Sequence, residues 1–205
     1  MKLLRPHTPE ENAVEMKPDP LGNLWITCHV RMDAHAKYLR IDRLSHILLT
    51  LYSVALLGFS VFSKHWENTS IGPYISDISV ILSLSVLCAS LVVWGLGFSE
   101  KARDHRDCYL ALQKLYDEQS DDAEKKDRYQ DILEKYPNHS GLDYERFLFR
   151  KLHIEKGELV GSSGPKTMPL GRSVIYLAME LVSFLVLAAV ALSPAIVIAV
   201  IYAYA

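Results

Sequence analysis

The sequence predicts an all-α integral membrane bundle: two to three transmembrane helices with a charged helical module on the cytoplasmic side. Three observations predict it. Half of the 205 residues are apolar and 22 % are charged, and the apolar ones are gathered into three blocks with the charged ones between them. Each block approaches or exceeds the ~20 residues that a helix rising ~1.5 Å per residue needs to cross a ~30 Å hydrocarbon core. The charged segments carry apolar residues every three to four positions, the pattern of helices with one greasy stripe.

Taken in order, residues 1–23 hold Pro6, Pro9, Pro18 and Pro20 among polar residues and read as a flexible tail without a cleavable signal peptide. From Leu24 to Ser45, Ile26, Val30, Ala34 and Leu39 alternate with Arg31, Asp33, Lys37, Arg40 and Asp42, which predicts a helix. No breaker separates it from the first span at about 46–63, so the two can form one rod. The second span covers about 75–98. The segment 101–156 then reads as cytoplasmic helices. The first carries Cys108, Leu112 and Leu115, with Tyr109 and Tyr116 beside the stripe. The second is opened by Ser120-Asp121-Asp122, with Ser120 as capping hydroxyl, carries Tyr129, Ile132, Leu133 and Tyr136, and is stopped by Pro137. The third begins at Ser140, has Asp143 at the reciprocal capping position, and shows Tyr144, Phe147, Leu148 and Leu152 on its apolar side.

Residues 157–172 form a Gly/Pro-rich linker. The third span, 173–205, is ~50 Å long if wholly helical, more than a bilayer requires. It ends in Tyr202 and Tyr204, an interfacial residue type. Counting back from them puts Glu180 at the inner boundary, where Arg172 or another chain can partner it. A kink is expected at Pro194, which lacks a backbone donor.

Basic residues fix the orientation. Lys37, Arg40 and Arg43 precede the first span, Lys101, Arg103 and Arg106 follow the second, and Lys166 and Arg172 precede the third. The loop 64–74 has one basic residue, so the amino terminus and residues 100–172 are expected in the cytoplasm and the short loop outside. The sequon Asn68-Thr69-Ser70 on that loop is too common a pattern to carry weight. Net charge −2 gives no general attraction to nucleic acid, and no direct nucleic-acid-binding motif is present. Cys28, Cys88 and Cys108, odd in number and irregular in spacing, predict reduced thiols.

Several constellations resemble chemistry without meeting its requirements. Gly161-Ser162-Ser163-Gly164-Pro165-Lys166-Thr167 has Pro165 where a phosphate-binding loop needs a Gly donor before Lys, and no strand precedes it. His105 and Cys108 have helical spacing for two metal ligands, whereas zinc takes three or four. Ser140, His139 and Asp143 lie within one turn, unlike a triad drawn from converging segments. The chain is therefore expected to be no enzyme and to use no cofactor. Two features stay open. Thr50, Ser53 and Ser60 on the first span, and Ser76, Ser79, Ser83 and Ser90 on the second, lie near one face of each helix. They serve either close helix packing or a water path between assembled chains. The tyrosines 109, 116, 129 and 136 offer a self-association or docking stripe.

The order of these parts, with the run Tyr136-Pro137-Asn138-His139-Ser140-Gly141-Leu142-Asp143-Tyr144-Glu145-Arg146-Phe147, resembles the SLATT family over about 24–156. Those are bacterial two-span effectors of nucleotide-signalling and phage-defence loci. The resemblance implies an oligomeric effector of the inner membrane, held quiet until an operon-encoded sensor, nucleotide synthase or reverse transcriptase signals. A non-conducting anchor for a nucleic-acid or nucleotide-processing enzyme is the other reading. The resemblance carries over no catalytic residues. Asn138, His139 and Asp143 read as a helix stop and a capped start, with a ligand-binding turn as the alternative.

Overall fold

The computed structural model describes residues 21–66 and 72–204, so the tail up to residue 20 and the sequon at 68–70 lie outside the described residues. The described residues are helical almost throughout, and three helices among them are long and apolar enough to cross a membrane.

The axis of the molecule is α1, Gly22–Phe62, one helix of 41 residues. At ~1.5 Å per residue it is ~60 Å long, twice a hydrocarbon core. No proline interrupts it, so the amphipathic first half and the apolar second half are a single rod. Leu24, Ile26, Val30 and Ala34 are buried in the first half, while in the second only Phe59 is, against Ile75 of the returning helix.

That helix, α2 (Ile75–Leu96), ends at Gly97, whose φ of 58° is left-handed. Glycine takes this conformation without a Cβ penalty, and here it both closes α2 and opens α3, Phe98–Asp117. The break falls slightly before the boundary expected near Phe98 to Lys101, because Gly97 decides it rather than the fading of apolarity. On α3, Ala102, His105, Cys108, Leu112 and Leu115 are buried against the first half of α1 at spacings of three and four.

Next comes α4, Asp122–Lys135, entered through an extended Asp121. The expected capping role of Ser120 is not realised: its hydroxyl is buried and unbonded among the described residues. Tyr129 of α4 hydrogen-bonds Thr27 of α1 at 2.8 Å. Tyr109, Tyr129 and Tyr136 pack on Cys28, Cys108 and Leu112. Only Tyr116 of the four is left exposed, so the tyrosines close the module rather than form an outward stripe.

The short α5, Gly141–Phe149, widens into a π-turn over Arg150–Ile154. Phe147 and Leu148 enter a core with Ile26, Val30, Leu159, Met168 and Tyr176. The linker is docked. Val160–Gly161 (β1) pairs antiparallel with Gly164–Pro165 (β2), and the Asn23 side chain bonds Ser162. A Cβ at Gly161 would lie 2.6 Å from Lys166 Cε and 2.9 Å from Asn23 Oδ1, so a larger residue there would displace these two side-chain ends.

The last helix, α6 (Leu170–Tyr204), starts before the expected Ser173 and stays helical through position 194. A proline at 194 has no N–H, which orphans the carbonyl of Val190 four residues earlier. Tyr52 of α1 donates to that carbonyl, and Ser193 Oγ does so at 3.0 Å. An orphaned acceptor in hydrocarbon is costly, so this bond joins α1 to α6 where apolar packing gives little preference. Tyr52→Phe is expected to cost about 1 kcal/mol of resistance to unfolding in micelles. Pro194→Ala, which restores the internal donor, should make the same substitution nearly neutral. Equal costs in both backgrounds would contradict the account.

Candidate functional site

The polar heart of the molecule lies where the turn between α4 and α5 meets α1. Arg31 is 0 % exposed, although it sits on α1 among residues of the apolar stripe. One of its nitrogens, Nη1, donates to the carbonyl of Pro137 and to His105 Nδ1 at 3.3 Å. The other two, Nε and Nη2, are buried without a partner among the described residues. A guanidinium can only donate, so His105 Nδ1 accepts and the imidazole is neutral with its proton on Nε2. The ring stacks on Tyr38, centroids 5.4 Å apart. Burial, and then the Arg31 charge, push His105 down to about 4. The same two causes hold His139 below its ordinary value.

Asp143 does two jobs. It forms the reciprocal cap with Ser140 at the start of α5, as its sequence position predicts. It also accepts from Lys37 Nζ of α1 at 2.7 Å while only 2 % exposed. Burial pushes its carboxyl up, but the bonds from Lys37 and Ser140 outweigh this and hold it below the usual range. Of the other turn residues, His139 is half-buried with Nδ1 unbonded among the described residues, and Asn138 accepts from the His139 backbone N–H at 2.9 Å.

Two further ion pairs leave α5 and the turn after it. Arg150 reaches Asp33 of α1 at 2.7 Å, and Arg146 reaches Glu180 of α6 at 2.5 Å, with Tyr176 donating to Glu180 at 3.1 Å. The expected partner of Glu180, Arg172, instead lies 3.7 Å from Glu145. One helical turn separates Glu180 from Tyr176, a residue buried in the module core, so the acid belongs to the module junction. Asp143, Arg146 and Arg150 succeed one another at helical spacing, so one face of α5 grips α1 and α6 together. Lys37 and Arg31 escaped notice as site residues. The available signal was a cation, Arg31, in line with Thr27 and Ala34 on the stripe that must be buried.

The span hydroxyls are placed differently. Thr50, Ser53, Ser60, Ser76 and Ser83 are exposed on single helices, and Ser79 and Ser90 are half-buried. Those of Thr50, Ser53, Ser83 and Ser90 donate to carbonyls of their own helices at 2.7 to 2.9 Å. Cys28 and Cys108 are buried free thiols, Cys28 raised to about 11 by burial and then by its neighbour Cys108. No cluster of three or more metal-ligating side chains converges among the described residues.

The neutral histidines give the module a pH dependence of defined sign. In the unfolded chain a histidine takes up its proton near pH 6.5, whereas His105 in the folded chain resists until about pH 4. Stability is therefore full above pH 6.5 and declines as pH falls towards 4, by up to ~3 kcal/mol from this residue. His139 acts in the same direction, and Asp143 adds its loss only in the more acidic carboxylate range. Chemical unfolding followed by tryptophan fluorescence between pH 7 and 4 should show this slope, and His105→Gln should flatten it. An unchanged slope in the variant would refute the assignment.

A family model described as the SMODS and SLOG-associating 2TM effector domain, family 5, matches residues 19–200. No curated protein and no solved structure matches the chain. The match reaches past the 24–156 stretch of the sequence resemblance, across the docked hairpin and most of α6. With three apolar helices able to cross a bilayer and a buried charged junction beneath them, the chain belongs to the family of SMODS and SLOG-associating 2TM effector domains and is a membrane protein.

Proposed function

We propose that this chain is the membrane effector of a bacterial anti-phage defence system. A cytoplasmic module holds the spans at rest, and a signal from a partner lets several copies assemble and perturb the inner membrane. The observation that carries this is the continuity of α1. One 41-residue helix bears Arg31, Asp33 and Lys37 at its gripped end and a span at the other. Displacing α5 would thus reach the bilayer with no hinge in between. Family membership supplies the class of protein, a membrane effector. Three spans are too few to enclose a water path, so a breach requires a homo-oligomer. The basic residues flanking the spans favour placing the module in the cytoplasm. There an operon-encoded sensor, nucleotide synthase or reverse transcriptase can act on it. The reading assigns no catalytic step and no cofactor.

One observation favours the second reading, a non-conducting anchor or regulatory subunit for a nucleic-acid or nucleotide-processing enzyme. The span hydroxyls already bonded to their own helices have less need of water or of a neighbouring chain.

Membrane potential separates the two. In bacteria carrying this chain and its genomic neighbour, a voltage-sensitive dye should report depolarisation only after phage challenge. Ser79→Leu with Ser83→Leu should abolish it if those residues line a path. Cells that stay polarised and are still protected would sink the effector reading and leave the anchor.

A further inference from the structure

A cleft of about 420 Å³ opens between α1, α5 and α6 where the module meets the spans. Its lining is graded along both long helices. On α1, Lys37 and Arg40 give way to Ile41 and Leu44, and on α6 Glu180 gives way to Phe184 and Leu187. The two helices run parallel here, since Tyr176 packs in the cluster of Ile26 and Val30 while Tyr52 reaches Ser193 farther along both. The polar ends of the two linings therefore coincide at the module, and the apolar ends coincide in the span region.

The charges in the cleft do not cancel. Lys37 is neutralised by Asp143 and Arg146 by Glu180. Arg40, which is exposed, makes no ion pair among the described residues and leaves the polar end with one uncompensated cation. An anionic head and an apolar tail, in that order along the membrane normal, describe an acidic phospholipid. We propose that the cleft binds one acidic phospholipid from the leaflet next to the module. Its phosphate lies on Arg40 and an acyl chain lies along Leu44, Phe184 and Leu187. A guanidinium presents paired donors to phosphate oxygens, and the surplus charge favours a headgroup of net charge −1 over a zwitterion, whose own cation would meet Arg40. A free phosphate would satisfy Arg40 but leave the apolar end of the cleft wet.

Lipid retention tests this without reference to toxicity or depolarisation, so it can fail while the effector reading stands, and the reverse. The full chain is purified in detergent with equal amounts of phosphatidylglycerol and phosphatidylcholine, stripped stepwise, and weighed by native mass spectrometry. One phosphatidylglycerol should be retained about fivefold over phosphatidylcholine, the equivalent of the ~1 kcal/mol that one basic residue contributes at an anionic surface. Arg40→Gln should remove the preference, and Lys126→Gln, on an exposed face of α4, should keep it. Leu44→Trp, which fills the apolar end, should lower retention while Arg40 is intact. Equal retention of the two lipids by the unsubstituted chain would overturn the proposal. So would an Arg40→Gln chain that still prefers phosphatidylglycerol, or inorganic phosphate that displaces the lipid completely at millimolar concentration.

Discussion

A guanidinium sealed inside a helical module constrains everything around it. Arg31 has no exposure, and a buried charge is tolerated only where fixed acceptors replace the water it has lost. The chief acceptor is a backbone carbonyl, that of Pro137, available because α4 has ended and the next turn is irregular. The other is an imidazole that can accept only while neutral. With two nitrogens still unbonded among the described residues, the arrangement costs free energy, and the surrounding packing must hold it. It does so from three sides. Tyr38 stacks on His105, the Cys28 and Cys108 layer closes α1 onto α3, and Phe147 anchors α5.

Fixing Pro137 on Arg31 also fixes the direction of α5. The capping box opens at Ser140, so α5 leaves the turn in one direction, with Asp143, Arg146 and Arg150 facing the long helices. These pairs are half-buried, which makes them stronger than surface pairs but dependent on staying dry. Cohesion is thus concentrated at one level of the molecule. Above it, the buried apolar contact between the first and second spans is Phe59 with Ile75 and Ile78, and Tyr52 bonds the first to the third. Elements with few mutual contacts move at low free-energy cost, so the module, not the spans, decides how the spans are arranged.

The helices and their kinds were legible because each rests on a local rule: apolar length for the spans, stripe spacing for α3 and α5, Ser140 with Asp143 for the α5 start. The continuity of α1 was legible from the lack of a breaker. Choices settled across the chain could not be read in the same way. Glu180 takes Arg146 rather than the nearer Arg172, because α5 lies against α6 and Arg172 is drawn to Glu145. Ser120 looks like a cap, yet Asp121 holds the capping position. The tyrosines are equally periodic whether they face a partner or their own core, and only the proximity of α1 shows that three of them turn inward. The Gly-rich linker carried no sign that Asn23 would hold it.

Polar groups in the spans obey the same logic as the junction. Each hydroxyl that finds a carbonyl within its own helix leaves the helix surface uniform, and such a helix can slide or rotate against its neighbours at little cost. Tyr52 differs. Its carbonyl partner belongs to another helix and has lost its usual helical donor at position 194, so the bond sets the register of α6 on α1. With Arg146 on Glu180 holding the same two helices through α5 at the module junction, α6 is fixed at two heights, and α2 is held to α1 by Phe59 and Ile75 near the far loop and by the packing of α3 on α1 beyond Gly97. Separating α1 from α6 breaks the Tyr52 bond and leaves the Val190 carbonyl with Ser193 Oγ alone, whereas separating α1 from α2 opens the apolar contact of Phe59 with Ile75. The spans are thus tied to α1 by different means, α6 by polar bonds and α2 by apolar contact, and the hydroxyls of Thr50, Ser53, Ser83 and Ser90 spend their donors within α1 and α2 themselves.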